Sequence, residues 1–236
     1  MRRTIPTILP MLLACLISWC GTALAQHATV DASIRVKHIG DSKANESNVV
    51  IWLLPLSQSE EESSRKLTAY RMMQKNKEFH PHVLAVPVGT AVEFPNEDPF
   101  FHNVFSLYKG KRFDLGLYEA GSTRKVVFDK PGVSFIFCNI HPEMSAYILA
   151  VTTPYFGVSD RNGQIRITDV PYGKYRLEVW YERAETDDLA KLTRTIEVEN
   201  STVKIGPLDL ADSPRFQPKH LNKHGKPYDP EATTPY

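Results

Sequence analysis

Cys138-Asn139-Ile140-His141-Pro142-Glu143-Met144 follows directly on the apolar run 133–137. It sets a thiolate, an imidazole and a thioether at intervals of three residues, and a second imidazole, His102, lies upstream in Phe101-His102-Asn103-Val104. Two histidines, one cysteine and a weakly held methionine make up the donor set of a mononuclear blue-copper site. For the four to meet, a strand must end at Cys138 and a neighbouring strand must start near Met144. His102 then need only come from a third strand beside them. The motif therefore implies a stiff all-β frame.

The rest of the chain carries the strand signals that such a frame needs. Short apolar or alternating runs occur at 83–88, 91–94, 102–107, 124–128, 133–138 and 146–151, punctuated by turn residues such as Gly89-Thr90, Ala120-Gly121 and Lys130-Pro131-Gly132. Six strands at this spacing predict a β-sandwich or barrel. A second set lies around them: 30–36 and 49–54 before, and 156–159, 164–168, 175–181, 193–198 and 205–210 after. Neither half shows a strong helix. Residues 57–77 read as a solvated connector in which Ser59 and Glu62 form a capping box for two helical turns at most. Residues 211–236 are polar, carry five prolines and read as a flexible tail, with His220 and His224 as solvated side chains.

The N-terminus reads as an export signal. Arg2 and Arg3 precede an apolar stretch from Met11 to about Trp19, and Ala23-Leu24-Ala25 is a small-residue cleavage site, predicting cleavage after Ala25. The apolar run falls short of the roughly 18 residues a spanning helix needs. A lipoprotein signal through Cys20 is disfavoured by the bulk of Trp19. Of the three cysteines, Cys15 and Cys20 leave with the signal, so Cys138 has no partner for an internal disulfide. In an oxidising compartment such as the periplasm a lone thiol is a liability unless it is buried or metal-bound. Residues 1–25 carry two arginines and no acid, so their loss lowers the formal net charge from +1 to −1. Nothing in that balance points to nucleic acid or an anionic membrane as a partner.

Soft sulfur donors favour copper over magnesium or calcium, and paired imidazoles suit either copper oxidation state. Zinc also accepts Cys and His in a tetrahedral site but gains little from a thioether. Around the ligands, Asn103 is placed to hydrogen-bond across the site, Phe101, Phe105 and Phe137 to exclude water, and Pro142 to stiffen the turn beside His141. A binuclear copper centre would need a second cysteine in the loop, and a multicopper oxidase several His-x-His pairs. Here there is one, His80-Pro81-His82.

Phe94-Pro95-Asn96, Asp98, His102-Asn103-Val104 and the Cys138–Met144 motif resemble the amicyanin, pseudoazurin and plastocyanin families of cupredoxins over about residues 78–153. The short Cys-x2-His-x2-Met loop is most similar to that of amicyanin. The resemblance implies a Greek-key β-sandwich holding one type 1 copper. His102, Cys138 and His141 would be its strong equatorial ligands, Met144 its axial one, and the edge of His141 the electron exit. The turn Thr168-Asp169-Val170-Pro171-Tyr172-Gly173-Lys174-Tyr175, preceded by Ser159-Asp160-Arg161-Asn162-Gly163, resembles transthyretin-like, carboxypeptidase-regulatory-type sandwiches. This predicts a second small sandwich made from about 30–56 and 155–210, with the cupredoxin inserted between its parts. The whole chain is similar to exported proteins named after methylamine utilisation.

The leading expectation is a periplasmic one-electron carrier, not an enzyme, working between protein partners such as a cytochrome or dehydrogenase. One alternative is a copper chaperone or buffer using Met72, Met73, His80 and His82 as a transient second site. Another is a scaffold in which the paired sandwiches are the purpose.

Overall fold

The computed structural model describes residues 26–39, 45–57, 69–107, 110–216 and 221–228. The export signal, the Ser59–Glu62 capping box and His220 lie outside the described residues. The chain forms two β-sandwiches side by side, and almost all of the regular structure among the described residues is strand.

The first sandwich draws on both ends of the chain. One sheet has the order β14-β1-β17, from β1 (His27–Lys37), β14 (Gln164–Pro171) and β17 (Thr202–Ala211). The facing sheet has the order β13-β2-β15-β16, from β2 (Val50–Pro55), β13 (Phe156–Val158), β15 (Gly173–Trp180) and β16 (Arg194–Val198). The strict alternation in β1 buries Ala28, Val30, Ala32 and Ile34 against Ile51, Leu53, Ile167 and Leu177. Successive strand residues point to opposite faces, so a two-residue hydrophobic period gives one buried face.

The turn chemistry explains the local sequence. Asp160 Oδ1 accepts the amides of Asn162 and Gln164, and Gly163 takes φ +71°. A Cβ on Gly163 would collide with the Ile34 carbonyl oxygen, so only glycine fits there. Tyr175 folds back, its hydroxyl donating to the Pro171 carbonyl at 2.7 Å across the Pro171–Gly173 turn.

The second sandwich occupies the middle of the chain. Its smaller sheet, β10-β7-β3, joins β3 (Tyr70–Arg71), β7 (Thr90–Pro95) and β10 (Thr123–Phe128). Its larger sheet has the order β6-β12-β11-β8-β9. These strands are β6 (Val83–Pro87), β8 (His102–Ser106), β9 (Phe113–Tyr118), β11 (Gly132–Phe137) and β12 (Ser145–Val151). Between the sheets lie Val86, Val92, Phe94, Val104, Phe128, Ile136 and Ile148. A hairpin of β4 (Met73–Lys75) and β5 (Glu78–His80) sits beside them.

β12 is buried along nearly its whole length because it is covered twice. Ala146 and Ile148 face the inner core, while Tyr147 and Leu149 join Val50, Val83, Ala85, Trp52 and Trp180 in a separate apolar cluster where the two sandwiches meet.

Four sequence expectations need correction. Residues 69–77 are not connector but carry β3 and β4, because Met72 and Gln74 are fully buried and anchor that segment to the sandwich. β9 was not foreseen. Gly116 at positive φ and a weak burial pattern interrupt its alternation. One short helix, α1 (Thr186–Leu192), does form, with Asp187 and Asp188 in its first turn and Lys191 in its last, each at the helix end that its charge favours. Finally, the described part of the C-terminal segment is bonded to the protein and not free.

Candidate metal centre

The larger sheet of the second sandwich brings the candidate donors together. β11 lies between β8 and β12, and Phe137 pairs with Phe105 on one side and Ser145 on the other. Cys138 follows the last residue of β11, Met144 precedes the first of β12, and His102 opens β8. The loop closes on itself: the Cys138 amide donates to the Met144 carbonyl at 3.2 Å, and the Met144 amide to the His141 carbonyl at 3.0 Å.

Three donor atoms converge. Cys138 Sγ lies 3.7 Å from His102 Nδ1 and 3.6 Å from His141 Nδ1, and the two Nδ1 atoms are 3.2 Å apart. All three residues are buried, as is Met144, which shares an apolar cluster with Cys138. Among the described residues, this is the one group of three His, Cys or carboxylate side chains placed to hold a metal ion.

Two imidazole nitrogens and a sulfur at mutual contact distance, with no carboxylate between them, fit a soft, thiophilic ion. His80 and His82 lie elsewhere: His80 is beside Glu78, and His82 bonds Glu182 at 2.9 Å. The described part of the tail places His224 in an exposed turn.

The electrostatics keep the donors uncharged by protons. Burial lowers the His102 pKa, although Asp98 opposes it. Burial, together with the neighbouring His102 and Lys77, lowers that of His141. Both rings thus hold free lone pairs at neutral pH. Burial pushes the Cys138 thiol up, against backbone N–H groups of Asn103, Ile140 and His141 directed at its sulfur. A bound cation would reverse that balance by favouring the thiolate.

Asp98 is the functional side chain that sequence reasoning did not assign. Its Oδ2 accepts from His102 Nε2 at 2.8 Å, which fixes the tautomer and leaves Nδ1 facing the sulfur. Asp98 is in turn held by the amides of Asn76 at 2.6 Å and Lys77 at 3.0 Å. Those two residues form the β4–β5 turn with φ of 56° and 57°, the left-handed geometry a two-residue hairpin requires. Burial works against ionisation of Asp98. The Lys77 amide, the His102 ring and the Asn76 amide outweigh it and hold the carboxyl below the usual range. The signal was present in the sequence as a carboxylate four residues before the histidine.

The surrounding residues take partly different roles from those expected. Phe137 is buried against Phe105, with ring centroids 5.7 Å apart. Pro142 is exposed at the turn. Phe101 is 39% exposed, and Phe100 instead packs on both imidazoles, 5.2 Å from His102 and 5.5 Å from His141. The Asn103 side chain donates to Asp114 Oδ1 at 2.6 Å rather than bridging to the Cys138 loop. His141 Nε2 is buried and, among the described residues, without a hydrogen-bond partner. The ring edge expected at the surface as an electron exit is therefore covered.

Two predictions arise here. Asp98→Asn is expected to lower copper affinity about 10–100-fold, as typically follows loss of a group that orients a ligand. Competition with a chelator of known affinity measures it. The second concerns pH. Because the folded pKa values of His102 and His141 lie below the ordinary 6.5, the unfolded chain binds more protons as pH falls through that value. Stability of the metal-free protein therefore declines on acidification below about pH 6.5, against an opposing contribution from His82, whose pKa is raised. Thermal melts between pH 7.5 and 5.5 should show a shallower decline in His141→Gln than in the parent.

No protein-family model and no curated protein matches the chain. Solved structures do. A Cu-containing nitrite reductase from Thermus scotoductus SA-01 is 29% identical over 36% of this chain, with a TM-score of 0.34, and the match spans only 22% of the reductase. A purple cupredoxin from Nitrosopumilus maritimus is 24% identical over 35% of this chain and 99% of its own, with a TM-score of 0.32. A Cu(I) amicyanin variant is 17% identical over 35% of this chain and 82% of its own, with a TM-score of 0.34. Among the described residues, no helix is long and apolar enough to cross a membrane.

Proposed function

We propose that this chain is an exported type 1 copper protein that passes single electrons between protein partners in the periplasm. The observation that carries the reading is the convergence of Cys138 Sγ with the Nδ1 atoms of His102 and His141, each within 3.7 Å, in a buried pocket. Copper bound there would supply a one-electron Cu(II)/Cu(I) couple. Met144 is the fourth ligand in this reading, entering from the end of the same loop.

The protein's own residues supply rigidity and dryness. His102 comes from a strand, and Cys138 and Met144 from the ends of two more, so ligand positions are fixed by the sheet before any ion arrives. Asp98 holds the His102 ring, and Phe100 packs over both imidazoles and shields them from water. A site that does not rearrange between oxidation states exchanges electrons with little reorganisation.

The copper-transfer alternative draws less support. Met72, proposed there as part of a second site, is fully buried in the sandwich core, and His82 is committed to Glu182. Repeated electrochemical reduction and reoxidation separates the two readings. An electron carrier keeps its copper content through many cycles in the presence of a Cu(I) chelator, whereas a transfer protein surrenders it on reduction.

A further inference from the structure

We propose that residues 221–228 form a clasp on the copper loop that positions Cys138 and slows release of the ion. The inference rests on the copper reading for the meaning of the loop, but the contacts stand on their own.

The segment is built to hold a shape. Asn222 Oδ1 accepts the amides of His224 and Lys226, the Asn222 amide donates to the Lys226 carbonyl at 2.8 Å, and the Gly225 amide donates to the Asn222 carbonyl at 2.9 Å with Gly225 at φ +73°. This compact turn then reaches the metal loop at two points and the neighbouring strand β9 at a third. The Tyr228 hydroxyl donates to the Cys138 carbonyl at 2.8 Å. The Lys223 amide donates to Asn139 Oδ1 at 3.0 Å. The Lys223 ammonium meets Asp114 Oδ2 at 3.1 Å.

Each contact bears on Cys138 from a different side. Tyr228 ties down its carbonyl through its hydroxyl. Lys223 grips the next residue, Asn139. Through Asp114, Lys223 also steadies Asn103, whose side chain donates to Asp114 at 2.6 Å and whose backbone N–H is directed at the Cys138 sulfur. A merely trailing tail has no reason to place an organised turn on the two residues that begin a ligand loop. Tyr228 and Lys223 are therefore positioning residues: they act through Cys138, Asn139 and Asn103.

The test uses Tyr228→Phe, Lys223→Met and the pair together in the full chain, with the exposed Lys226→Ala as control. All should retain the parent's melting temperature to within a few degrees, since neither Lys223 nor Tyr228 belongs to a hydrophobic core cluster. In the metal-free proteins, amide hydrogen exchange across 138–144 should quicken about threefold to tenfold in Tyr228→Phe, the size that one hydrogen bond supplies, and further in the double variant. Lys223→Met alone leaves the Lys223 amide on Asn139 and should quicken it less. In the copper-loaded proteins, loss of copper to a chelator should quicken by on the order of tenfold.

Exchange that matches the parent in the double variant overturns the proposal. So does faster exchange with unchanged copper release, because the clasp would then order the loop without positioning ligands. If the parent binds no copper at all, the functional reading fails, and with it the retention role; the exchange data then decide only whether the clasp orders the loop.

Discussion

Cys138→Ser is expected to abolish the intense visible thiolate-to-copper absorption and to cut copper affinity by more than about 100-fold. Even residues that merely orient a ligand are worth about 10–100-fold, and Cys138 is the sole thiolate of the group. A serine oxygen is too hard and too weakly acidic to replace it. The variant should still fold, because the backbone N–H groups of Asn103, Ile140 and His141 that face the sulfur can serve a hydroxyl. Its melting transition in the metal-free state should drop only slightly, reflecting about 1–3 kcal/mol for burying a polar group with imperfect partners. Retained colour in the variant would place copper elsewhere.

The second large effect concerns the divided sandwich. Leu177 is fully buried in β15 and stands opposite Leu53 of β2 in the sheet register. Its neighbours come from both ends of the chain, among them Val30 and Ile34 from β1 and Ile167 from β14. Leu177→Ala should destabilise the protein by about 2–5 kcal/mol, the usual range for a buried leucine left as a cavity. Urea unfolding measures it. Strands before 57 and after 155 share one core, so probes at Trp52 and Trp180 should report the same shifted transition. A loss below about 1 kcal/mol, or separate transitions for the two tryptophans, would mean that the two segments do not act as one unit.

What the sequence made legible follows from where its information is dense. The converging donors His102, Cys138 and His141 were readable because they are chemically rare and the last two closely spaced, and because a loop between adjacent strands has few ways to fold. Most strands of both sandwiches, though not β3, β4 or β9, were readable from alternation and from turns such as Asp160–Gly163, whose glycine is required by the nearby Ile34 carbonyl.

Asp98 was visible as a residue but not as a partner. Its role depends on two backbone amides contributed by a hairpin turn some twenty residues away, at Asn76 and Lys77. β3 and β4 were hidden by the polar, glutamate-rich run before them, which masked the burial of Met72 and Gln74. The docking of 221–228 was illegible for the opposite reason. Its contacts include one hydroxyl, one amide and one ammonium, none of which leaves a periodic trace.

The central claim is that a cysteine, two histidines and a methionine surround a single copper ion. Electron paramagnetic resonance of the Cu(II)-loaded protein, recorded with its visible spectrum, tests that most directly. The account predicts an intense absorption near the red end of the visible range and the narrow copper hyperfine splitting of a highly covalent Cu–thiolate bond, at one ion per chain. A pale protein with the wide splitting of a tetragonal nitrogen and oxygen site, or one that takes up no copper, would contradict it.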